Sequence, residues 1–167
     1  MELDSLSVSW SMPLPTVPAD FDIAPACDSA VICFDRTGEI GLVDLTERRL
    51  RATLSLGSPL GPARFRSDGR LILAASREAR TLVAVDPELM QPIVELPLPV
   101  APRHFCFKPD GGELFVTGAG LDVVVSIHPY RTQVGSTAFV GRSPGAMAAC
   151  QKPDLLFVAN EGSGDVS

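Results

Sequence analysis

Shifted by 42 residues, the chain lies on itself without a gap from Val8 to Ser167. Pro18, Leu60, Pro102 and Pro144 share one position, and Asp68 and Asp110 another, each followed by glycine (Gly69, Gly111). Val31, Leu73, Phe115 and Phe157 align, as do Ile32, Ala74, Val116 and Val158. Val43, Val85 and Ile127 are followed by Asp44, Asp86 and His128. Leu14, Leu56, Leu98 and Val140 end successive units, and Pro15, Gly57, Pro99 and Gly141 turn the chain. A fixed period of this length makes the chain an array of one supersecondary unit that buries its apolar surface only by stacking on its neighbours.

The unit is read most easily between Pro102 and Val140. Four runs of β-forming residues, 104–107, 113–117, 123–127 and 133–140, are separated by turn signals. The first two are joined by Lys108-Pro109-Asp110-Gly111-Gly112, where Pro fixes φ and Gly admits positive φ, as a tight hairpin requires. Four short strands per unit of about forty residues predict an all-β fold, a β-propeller of four-stranded antiparallel blades. The expected boundaries are a leader at 1–17, blades at 18–59, 60–101 and 102–143, and a partial blade at 144–167. Within the leader, Leu6, Val8, Trp10, Met12 and Leu14 alternate with other residues, so 6–15 is a candidate strand that closes a ring by joining a blade from the far end of the chain.

These units resemble the YVTN family of β-propeller repeats. The resemblance rests on Pro109-Asp110-Gly111 with Leu114-Phe115-Val116, on Leu156-Phe157-Val158-Ala159-Asn160, on Val43-Asp44 and Val85-Asp86, and on Val140-Gly141 with Pro144. Phe stands where the family has Tyr, His128 replaces the strand-ending Asp, and the second-strand Asn survives only at Asn160. The resemblance implies the N-terminal part of a propeller, about three and a half blades, with ligands at the mouth of the central channel. Related propellers include lactonases and quinone- or haem-dependent dehydrogenases.

Charge and composition narrow the partners. Fourteen basic against 20 acidic residues give a formal net charge of −6, which disfavours nucleic acid and anionic membranes because both need a cationic surface. No apolar run has the length of a membrane span, and the first residues lack a basic and apolar leader. The sequence taken from Met1 therefore reads as cytoplasmic, and as secreted or periplasmic if the native start lies upstream. An array ending on open sheet faces is expected to self-associate.

No constellation of residues points to catalysis. Cys27, Cys33, Cys106 and Cys150 show no metal-binding or redox spacing. Gly141-Arg142-Ser143-Pro144-Gly145 spells a nucleophile-elbow pattern, but Pro144 and a strand follow the serine where a helix is required, and no histidine follows His128. Asp44, Asp86, Asp68 and Asp110 recur with the period, as turn residues do and a single active site does not. Two histidines, His104 and His128, are too few to suggest a metal site, and no cofactor is assigned. The candidate ligand-binding residues are Arg103, His104 and Arg142, on connections around the channel mouth, where free guanidinium groups suit a carboxylate or phosphate. The sequence thus reads as a noncatalytic binding or scaffold module for a protein or small anionic ligand. The alternative is part of a lactonase-like or quinone- or haem-dependent propeller enzyme.

Overall fold

A computed structural model describes residues 7–57 and 59–167. Its strands form four antiparallel sheets, each a meander of consecutive strands. The first sheet holds β1 (Asp20–Ile23), β2 (Ser29–Phe34), β3 (Glu39–Asp44) and β4 (Arg49–Ser55). The second holds β5 (Leu60–Phe65), β6 (Ile72–Ser76), β7 (Thr81–Asp86) and β8 (Gln91–Pro97). The third holds β9 (Ala101–Phe107), β10 (Leu114–Ala119), β11 (Val123–His128) and β12 (Gln133–Phe139). The fourth holds β13 (Pro144–Cys150), β14 (Leu155–Asn160) and β15 (Asp165–Val166), in the order β13-β14-β15. Strands β3, β7, β11 and β15 begin at Glu39, Thr81, Val123 and Asp165, evenly spaced along the chain.

The sheets stack in chain order, with β1 against β5, β5 against β9 and β9 against β13. The first two of these interfaces are apolar layers. Val31, Ile40 and Leu42 of the first sheet pack with Phe65, Ile72 and Val83 of the second. On its other side the second sheet packs Leu73, Leu82 and Ala84 with Leu114, Val116 and Val125 of the third. Middle strands are therefore covered from both sides. All five residues of β6 are buried, as are the four central residues of β7. Such strands read as continuous apolar runs, which is why alternation is weak in these segments. Burying one Leu or Ile side chain contributes roughly 1.5–3 kcal/mol, so these layers dominate the stability.

The fourth strands are the exception. In β4 partly buried and exposed positions alternate, and β8 and β12 are largely exposed along an open edge. Pro92 and Pro97 are tolerated in β8 because an edge strand has no further ladder to donate to. Pro92 pairs with Val85 where the β7–β8 register shifts, and β3–β4 and β11–β12 shift register at their own Leu42/Val43 and Val125/Ile127.

Turn chemistry repeats from sheet to sheet. The third-to-fourth turns hold Arg48, Met90 and Thr132 at φ of 55°, 49° and 49°. The first-to-second turns hold Cys27, Gly69 and Gly111 at 57°, 72° and 72°. In the fourth sheet Pro153 stands near the corresponding place, and its ring forbids positive φ. The recurring aspartates cap these turns: Asp44 Oδ1 accepts from the Thr46 and Glu47 N–H groups at 2.9 and 2.7 Å, and Asp86 Oδ1 from those of Glu88 and Leu89 at 2.8 and 3.1 Å. Asp68 and Asp110 accept from the Arg70 and Gly112 N–H groups. The hydrogen bond from Arg66 holds the Asp68 carboxyl below the usual carboxylate range.

The candidate closing strand at 6–15 is expected to join a blade from the far end of the chain, and within the described residues it has no such blade to join. Leu6 lies outside the described residues, Ser7 makes a single bridge, and 8–14 joins no strand. Pro13 and Pro15 remove donors there. The segment is held in part by Trp10, whose ring lies 5.7 Å from the Arg48 guanidinium carbon.

Two outcomes follow from these environments. A β-branched side chain at positive φ is strained, so Thr132→Asn should raise stability by about 0.5–1 kcal/mol, read as a higher urea midpoint at unchanged slope. Burial, with the Asp20 carboxylate nearby, pushes the Cys33 thiol up to about 12. In the folded protein at neutral pH a maleimide should therefore modify exposed Cys27 quickly and Cys33 only after unfolding; equal rates would contradict the packing of β2.

Candidate functional site

Because the sheets touch through their first strands, side chains from β1, β5, β9 and β13 gather at one place. Two cavities open there. The larger, about 640 Å³, is lined by Asp20, Asp35, Arg64, Arg77, Arg103 and His104 among others. The second, about 550 Å³, shares Arg103 and His104 with the first and adds Asp122, Phe139, Ser143 and Glu161. Of the three residues expected at the mouth, Arg103 and His104 are thus brought together, in the wall between the cavities. Arg142 lines neither. It is exposed, and its N–H donates to Ser163 Oγ at 3.0 Å while its carbonyl accepts from Gly162 at 2.9 Å.

The charges in the larger cavity are mostly committed. Arg64 donates to Asp20 at 2.5 Å and to its neighbour's carbonyl, that of Ala63, at 2.8 Å. Asp22 accepts from the Phe65 N–H at 2.8 Å, a second tie between the first and second sheets. Arg77 donates to Asp35 at 2.5 Å, and its buried Nε has no hydrogen-bond partner. With two carboxylates set against three guanidinium groups, the balance is one positive charge. That charge belongs to Arg103, whose exposed guanidinium makes no ion pair or hydrogen bond among the described residues. The second cavity has the opposite balance, Asp122 and Glu161 against Arg103.

Arg103 has room because its counterparts on β5 and β13 are Gly61 and Gly145. A Cβ on Gly61 would lie 2.7 Å from the Pro102 carbonyl oxygen, and one on Gly145 would lie 2.6 Å from Glu161 Oε1. The backbone of β9 leaves no space for a side chain at Gly61, and the Glu161 side chain occupies the space beside Gly145. The third and fourth sheets are tied nearby by Thr117 Oγ1, which donates to the Gly145 carbonyl at 2.7 Å.

Two features escaped the sequence reading. The acid–base pairs between sheets were missed, although Asp35 and Arg77 stand 42 residues apart at one position of the repeat, which signals a contact between neighbouring units. His104 also lines the cavity that holds Ser143, despite preceding it in sequence. Ser143 itself sits at φ 51° and leads straight into β13, with its N–H donated to Asp122 Oδ1 at 2.8 Å. The Gly-x-Ser-x-Gly segment is a connection between two strands.

No family model and no curated protein matches the chain. Among solved structures, hydrazine synthase of Kuenenia stuttgartiensis is similar over 96% of this chain and 50% of its own, with a TM-score of 0.77 at 15% identity. U3-55K is similar over 93% of this chain and 52% of its own, with a TM-score of 0.73 at 10% identity. At such identities the likeness is one of fold, and that fold is all-β and propeller-like. The chain spans about half the length of each.

The pairing pattern separates structural from free cations. Arg77→Ala should cost about 1 kcal/mol, through the loss of the partly exposed pair with Asp35 and of the packing of the arginine stem. Arg103→Ala should change stability by less than about 0.5 kcal/mol. Chemical denaturation of both variants reads the difference, and equal losses would show that Arg103 is a structural residue.

Proposed function

We propose that this chain is a noncatalytic β-propeller binding module of the YVTN type, built of 42-residue blades, whose first strands present a cationic pocket to a carboxylate or phosphate. The observation that carries the reading is Arg103. It is the uncommitted guanidinium of a cavity whose other two arginines are held by Asp20 and Asp35. The committed pairs stiffen the wall and keep their charges from the ligand, while Arg103 is left with its full fork of donors for a planar or tetrahedral anion. His104, the next residue on β9, adds a second polar group to the same wall. A cavity of about 640 Å³ accommodates a small di- or tricarboxylate or a phosphorylated metabolite, or an acidic side chain presented by a protein.

Calorimetric titration with citrate and with inorganic phosphate tests this. Arg103→Ala should weaken binding roughly 10- to 100-fold, the loss of one charge-assisted contact, while Arg142→Ala should leave it unchanged. Affinity indifferent to Arg103 would overturn the proposal. Hydrolysis of p-nitrophenyl acetate that disappears in Ser143→Ala would also overturn it, by showing a catalytic serine.

A further inference from the structure

Around the second cavity the repeat of inner positions is broken twice. Arg103 stands where the second and fourth sheets have Gly61 and Gly145. Glu161 stands where the second sheet has Arg77, which reaches back to Asp35 of the sheet before it. In the third sheet the residue that corresponds to Asp35 is Ala119, whose methyl group offers nothing to pair with. Glu161 nevertheless turns back toward the third sheet as Arg77 turns toward the first: its Oε1 lies beside Gly145, and it lines the cavity together with Ala119. Its carboxylate makes no hydrogen bond or ion pair among the described residues.

One cavity of about 550 Å³ therefore holds an uncommitted guanidinium and an uncommitted carboxylate that do not pair with each other. Asp122 adds a second carboxylate, whose Oδ1 already accepts from the Ser143 N–H at 2.8 Å. The same wall carries Phe139 and Leu121, which are 91% and 49% exposed.

We infer that this cavity takes a free amino acid with an apolar side chain, its carboxylate on Arg103, its ammonium on Glu161 and its side chain against Phe139 and Leu121. The inference rests on the reading of Arg103 as the anion-binding residue and names the class of anion. A simple anion satisfies Arg103 but brings a like charge toward Asp122 and Glu161, and a simple cation has the converse difficulty with Arg103. A zwitterion meets both charges and adds none. The apolar part of the ligand covers side chains that water otherwise surrounds, so the cavity selects a large apolar side chain over a small one.

Calorimetric titration at about pH 7, where phenylalanine is a zwitterion, tests this with phenylalanine, glycine and 3-phenylpropionate, which lacks the ammonium group. Phenylalanine should bind about fivefold more tightly than 3-phenylpropionate, the contribution of one exposed charge pair. It should bind roughly tenfold more tightly than glycine, through the apolar area it covers. Glu161→Gln should bring phenylalanine and 3-phenylpropionate within about twofold of each other, and Arg103→Ala should weaken both. Equal affinity of the wild-type chain for phenylalanine and 3-phenylpropionate, or for phenylalanine and glycine, would overturn the inference, as would a preference for phenylalanine that survives Glu161→Gln. If 3-phenylpropionate still binds through Arg103 in those cases, the anion-binding reading stands without the amino acid. Carboxylates indifferent to Arg103→Ala would overturn both.

Discussion

The structure depends on the burial of its middle strands from both sides. A four-stranded sheet such as β5–β8 has apolar residues on both faces, Ile72 and Ala74 toward the first sheet and Leu73 and Ala84 toward the third. No single sheet can satisfy that pattern, so each is stable only as a neighbour. Order along the chain becomes order in space, and the first strands are forced together. Polar groups on those strands lie close to one another through the packing demands of residues several ångströms away.

This explains what was legible in the sequence. The third-sheet segments read as 104–107, 113–117, 123–127 and 133–140 correspond to β9 to β12, because local turn chemistry and apolar phase agree there. The aspartates that recur are turn caps, as their recurrence suggested. Less visible was anything decided between sheets. Arg142 shares with Arg103 a place near a blade connection, yet the backbone of 141–145 is tied to Ser163 and Asp122 and the side chain lies away from both cavities.

The charges around the first strands divide into two kinds of work. Asp20, Asp22 and Asp35 tie sheet to sheet, each accepting from a donor on the next unit. These contacts are partly solvent-exposed, so they add little to stability one by one. Their value lies in register: an acid on one sheet fits its base only if the sheets meet at the right height. Arg103 is left over from that scheme because the residue at its position on either side is glycine.

The repeated hairpin meander also shapes how the molecule comes apart. Every strand pair except those between sheets is made by neighbours in sequence, so contacts are short in chain distance and any sheet can serve as a nucleus. Protection is then graded by position. The second and third sheets, covered on both sides, open only when a neighbour has already gone. Loss of any one sheet uncovers the apolar face of the sheet beside it, so damage, once begun, travels from sheet to sheet.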